Sequence, residues 1–204
     1  NLVRTHAALG SLVAVVDANL AAATDQAHAH GVEARSLDDV LADVGIDAVV
    51  VAAPAADHAD IASRAIAAGK HVFVEKPLAL TVTDAQALVE AAESAGVTLM
   101  VGHLLQYHPA FLALRALVAD GRLGELRYLY SNRLNLGKIR QEENSLWSFA
   151  PHDLSMLLAL VGEEPDEVEA TGGAFLDPSI ADVTTTHLTF PSGPRAHVFV
   201  SWLH

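Results

Sequence analysis

The residues of this chain with chemistry to offer are widely spaced: Asp17, Lys76, His103, His152 and the basic group Arg133, Lys138 and Arg140. Asp17 ends a short apolar run. In a dinucleotide-binding fold an acid there hydrogen-bonds the adenosine ribose and repels a 2′-phosphate, which favours NAD over NADP. The same residue type also caps turns. Imidazole titrates near neutral pH, which suits His152 to acid–base work, although a lone histidine is more often structural. Arg133, Lys138 and Arg140 stand out in a chain of formal net charge −13. Guanidinium matches carboxylate and phosphate bidentately, and the competing reading is a solvated charge cluster.

Elements must place these residues. Short Val-rich runs alternate with alanine-rich stretches, the pattern of an α/β fold with a parallel sheet. Strands are predicted at Leu12–Val16, Val32–Ala34, Ala48–Ala52, His71–Val74 and Thr98–Val101. Helices between them end at Gly31, Gly69 and Gly96, consistent with left-handed closing residues. Ser36 caps one helix, and Thr81 or Thr83 caps another. The run Gly102-His103-Leu104-Leu105-Gln106-Tyr107-His108-Pro109 follows the last strand. Ligands bind outside the carboxyl ends of such strands, so His103 and Tyr107 are candidates for the site, while His108 shapes the turn.

After Gly121 the rhythm changes. A strand is predicted over Glu125–Leu134, a helix beginning near Pro151, and a hairpin of Val183–Phe190 and Arg195–Leu203 joined by Pro191-Ser192-Gly193-Pro194. The expected organisation is therefore a parallel-sheet domain over 1–122 and an α+β domain with an open antiparallel sheet over 123–204.

Composition narrows the function classes. The 204 residues are 51% hydrophobic, and mean hydropathy is +0.31, yet no apolar run reaches the roughly 20 residues of a membrane span. Acidity argues against a nucleic-acid partner. The absence of cysteine removes thiol chemistry and disulfides and fits the cytoplasm. Eleven histidines form no metal-binding spacing, so no metal is expected. The Gly-x-Gly-x-x-Gly loop lies about 20 residues ahead of the ribose-binding acid. It is therefore expected ahead of Asn1, and the chain reads as a fragment.

The segment Lys70-His71-Val72-Phe73-Val74-Glu75-Lys76-Pro77-Leu78-Ala79, preceded by Val49-Val50-Val51-Ala52-Ala53-Pro54 and His58, resembles the Gfo/Idh/MocA oxidoreductase family over essentially the whole chain. The resemblance implies a Rossmann domain followed by the open-sheet domain. It implies cofactor contacts from Asp17, Pro54, His58, Glu75, Lys76 and Pro77, with Lys76 at the nicotinamide and bonded to the reacting hydroxyl. It also implies a homo-oligomeric whole protein. Members often carry an Asp four residues before the acid–base histidine. Here Ser148 occupies that place, so His152 alone is carried over.

The stretch Tyr130–Arg140 with Glu143–Asp153 resembles the branch that oxidises the 3-hydroxyl of UDP-N-acetylglucosaminuronic acid. It implies substrate contacts from Arg133, Asn135, Lys138, Arg140 and Trp147. Two other readings stay open: a dehydrogenase of a free sugar or inositol, and a non-catalytic sugar-nucleotide-binding relative.

Overall fold

Valine-rich runs bounded by small residues form parallel strands, as their patterning requires. The computed structural model describes residues 2–136, 139 and 143–204, in two units, 1–102 and 103–204.

The first unit runs α1 (Leu2–Ala8), β1 (Ala14–Val15), α2 (Leu20–His30), β2 (Glu33–Ala34), α3 (Leu37–Ala42), β3 (Ala48–Val51), α4 (His58–Ala67), β4 (His71–Val74), α5 (Val82–Ala95) and β5 (Leu99–Val101). Strands β1 and β2 pair in parallel, as do β3, β4 and β5 in that order. The core joins Val51, Val72 and Val74 to Ala62, Ala65 and Ile66 of α4 and to Leu88 and Ala92 of α5. Small alanines let these helices approach the sheet closely. Caps follow the sequence: the Ser36 and Thr81 hydroxyls accept from Asp39 N and Asp84 N. Gly31 and Gly96 close their helices at positive φ.

The second unit contains α6 (Pro109–Ala119), β6 (Tyr128–Leu134), α7 (Ser145–Val161), β7 (Glu167–Gly173), β8 (Val183–Thr189) and β9 (Arg195–Ser201). Its sheet order is β6-β9-β8-β7. The hairpin of β8 and β9 and the antiparallel pairing of β7 with β8 agree with an open antiparallel sheet. Strand β6, however, pairs with β9 in parallel, so the sheet is mixed. Leu188, Phe190, Ala196, Val198 and Val200 form its buried side with Ala150 and Leu157 of α7.

Three expectations shift. The division falls at Gly102, because α6 belongs to the second unit: Leu105, Phe111 and Leu114 line an apolar recess with Met156 of α7. Helix α7 starts at Ser145, not near Pro151. Asn144 Oδ1 accepts from Trp147 N at 3.0 Å, and that cap sets the start. Pro151 lies inside the helix at the cost of one backbone bond. Strand β7 has no clear alternation and is almost wholly exposed, which is why the sequence does not announce it. Among the described residues, no helix is long and apolar enough to cross a membrane.

Candidate functional site

In the first unit the candidate residues sit at carboxyl ends of parallel strands. The register pairs Val51 with Val74 and Val74 with Val101, so Ala52–Pro54, Glu75–Pro77 and Gly102 leave three adjacent strands on one edge. Asp17 follows β1, is exposed, and accepts Asn19 N at 2.8 Å through Oδ1. It is thus a turn cap whose carboxylate still faces solvent. Pro54 is exposed and opens a 3-10 turn at Ala55–Asp57.

The Glu75-Lys76-Pro77 turn is half-buried, and the Lys76–Pro77 peptide bond is cis. Glu75 Oε2 accepts Lys76 N at 3.3 Å. Gly102 lies close beside this turn: a Cβ there would stand 3.0 Å from Phe73 Cζ and 3.1 Å from Glu75 Oε2. Only glycine leaves both side chains undisturbed.

The His58 ring is 2% exposed, with Nδ1 2.7 Å from Pro77 O and Nε2 2.9 Å from Ala53 O. A side chain so enclosed has both ring nitrogens committed within its own chain.

In the second unit His103 and His152 meet edge to face, with ring centroids 6.2 Å apart. His103 opens a 3-10 turn at Leu104–Tyr107, and His152 lies midway along α7. Tyr107 and Trp147 are exposed, as is Asn135, whose backbone N donates to Ser201 O. Lys138 and Arg140 lie outside the described residues.

Arg133 is already engaged within its own chain. Its Nε and Nη2 donate to the Asp153 carboxylate at 2.5 and 3.2 Å, and Ser131 Oγ donates to the same group at 2.6 Å. One edge of its fork is filled by a carboxylate of its own chain, so that edge cannot take a substrate carboxylate. Sequence reasoning gave Asp153 no role. The available signal was that Leu129, Ser131 and Arg133 alternate on one face of β6, where buried polar groups need partners. Gly102 was likewise missed, because its constraint comes from residues 27 and 29 positions away.

Parallel strands delivering a half-buried lysine turn to their carboxyl edge define an α/β protein of the dinucleotide-binding class. The chain belongs to the Gfo/Idh/MocA oxidoreductase family: residues 1–103 match the "Oxidoreductase family, NAD-binding Rossmann fold" and 111–204 the "GFO/IDH/MocA C-terminal domain". It is 36% identical over 176 residues to an inositol 2-dehydrogenase of Rhizobium meliloti, covering 84% of this chain and 53% of the relative. It is 34% identical over 198 residues to a UDP-N-acetylglucosamine 3-dehydrogenase of Acidithiobacillus ferrooxidans, covering 96% and 61%. A crystal structure of the latter superposes with a TM-score of 0.90 at 32% identity, over 99% of this chain and 65% of that one. A gentamicin-biosynthesis protein in complex with NAD superposes with a TM-score of 0.90 at 29% identity, over 99% and 62%. The chain thus spans between half and two-thirds of the length of these relatives.

Proposed function

We propose that the protein acts as an NAD-dependent dehydrogenase of a sugar hydroxyl, with C3 of a UDP-N-acetylglucosaminuronic acid-type nucleotide sugar as its substrate. The observation that carries the reading is the Glu75-Lys76-Pro77 turn, half-buried at the carboxyl edge of β4 beside Gly102. The residues fit a dinucleotide. An exposed carboxylate at Asp17 suits ribose hydroxyls, and the Lys76 turn stands at the carboxyl ends of the strands, where such ligands bind.

NAD, when bound, supplies the hydride acceptor. Lys76 donates a hydrogen bond to the reacting hydroxyl and steadies the negative charge that grows on its oxygen. His152 accepts the hydroxyl proton, a task imidazole performs near neutral pH. Asp17 holds the ribose and disfavours a 2′-phosphate. Tyr107 and Trp147, both exposed, offer apolar faces with one polar atom each for the sugar or its base.

A second reading, oxidation of a neutral inositol or free sugar, draws support from one observation: Arg133 is held by Asp153. A neutral polyol needs no guanidinium. Turnover of UDP-sugars against free polyols, followed as NADH absorbance, separates the two readings. Loss of only a few-fold in Lys76→Ala, against the roughly 10²–10⁴-fold typical of a positioned acid or base, would defeat both.

A further inference from the structure

Strands β3 and β4 stay zipped as far as the bond from Glu75 N to Val51 O at 2.9 Å. Beyond it the chains part, one toward Pro54 and the other into the Lys76 turn. The carbonyls of Ala53 and Pro77 then face the same buried imidazole, that of His58 on the first turn of α4. Carbonyl oxygens only accept hydrogen bonds, so a ring that satisfies both donates from each nitrogen and is the imidazolium cation. With the ring 2% exposed, water is not at hand to take over either bond.

We propose that His58 is a two-donor clamp, carrying hydrogen on both ring nitrogens, that fixes the Lys76 turn against the exit of β3 and thereby positions Lys76. The second half of this statement rests on Lys76 acting on the substrate; the first half does not. No other side chain replaces the ring in this role. Glutamine and asparagine carry their donors on a single nitrogen, so they satisfy one carbonyl and turn an oxygen toward the other. Lysine and arginine lack the ring's rigid, opposed pair of donors. His58 touches no reacting atom in this scheme. It is a positioning residue, acting through the Pro77 carbonyl on the residue before it.

Two measurements on the full chain test the clamp. A long-range proton–nitrogen correlation spectrum of the labelled protein should show both ring nitrogens of His58 bearing hydrogen, with ring protons protected from exchange. A ring with one bare nitrogen would overturn the proposal, and this readout needs no variant to fold. In turnover, His58→Gln should lower kcat by about 10- to 100-fold, the scale set by ångström misplacement of a catalytic group. KM for the sugar should stay within about twofold in the same variant, since no binding group is removed. A purely structural role would move melting temperature without that split. An unchanged kcat in folded His58→Gln, alongside an inactive Lys76→Ala, would overturn the positioning role. Should Lys76→Ala keep full turnover, the proposed function of Lys76 fails instead, and the ring spectrum alone decides the clamp.

Discussion

The carboxylate of Asp153 takes both Nε and Nη2 of Arg133, at 2.5 and 3.2 Å, from the position directly after His152. Asp153 is 3% exposed and the Arg133 side chain 32%. The pair ties β6 to α7 beside the candidate acid–base residue. Removing one partner of a buried pair is costly because the other charge is left without compensation. Arg133→Met should therefore lower stability by about 3 kcal/mol, the low end of the usual range because the guanidinium is partly wet. Urea unfolding curves read this directly. A variant of unchanged stability that selectively loses binding of a UDP-uronic acid would return Arg133 to the substrate.

Asp17 offers a second test. One carboxylate oxygen is used on Asn19 N, yet the side chain remains exposed at the end of β1. Asp17→Ser removes the repulsion toward a 2′-phosphate and weakens the ribose bond. The NAD-to-NADP ratio of kcat/KM should fall by about tenfold or more, as expected for the loss of one charged hydrogen bond. A protein that already turns over both cofactors equally would contradict the assignment.

Much of this arrangement was legible before the structure. Strand β4 falls at the predicted residues, because a short valine-rich run between polar neighbours leaves little choice. Strand β7 was not legible, since an exposed edge strand needs no apolar alternation. The start of α7 was misjudged by favouring Pro151 over the Asn144 cap. For the candidate site, the family resemblance pointed to Lys76 and His152, while local patterns gave no view of which neighbours were engaged elsewhere. They could not show that His58 and Arg133 were already engaged, because those partners lie 19 and 20 positions away in the chain. Long-range pairing is set by topology, which local patterns do not encode.

Gly102 allows a test of how tightly the lysine turn is built. An added methyl would meet Phe73 Cζ at 3.0 Å and Glu75 Oε2 at 3.1 Å, so at least one side chain must move. Gly102→Ala should cost about 1–3 kcal/mol, the usual range for an overpacked site. The backbone signal of Lys76 should shift with Glu75, which accepts its N–H. Unchanged thermal unfolding together with an unmoved Lys76 signal would mean the turn has slack.

The last expectation concerns acid sensitivity, and it lies at the opposite edge of the first unit's sheet. Asp43 accepts Gly45 N at 2.8 Å and Arg35 Nη1 at 2.7 Å, while its backbone carbonyl takes Lys70 Nζ at 2.6 Å. The Gly45 N–H first, and the Arg35 guanidinium next, hold its carboxyl below the usual aspartate range. A carboxyl whose pKa is lower in the folded than in the unfolded chain stabilises the fold above its unfolded value. That contribution disappears as pH falls through the folded value. The sensitive window therefore lies on the acid side of about pH 4, the ordinary aspartate value. Asp43→Asn keeps an oxygen for Gly45 but loses the charge that Arg35 pairs with. Its melting temperature should fall below that of the parent near neutral pH, and the two should converge as pH drops through that window. Added salt should narrow the neutral-pH gap, since the pair is partly exposed and open to screening. Melting curves taken across the acid range test this, and a gap that stays constant down to the most acid point would remove Asp43 as its source.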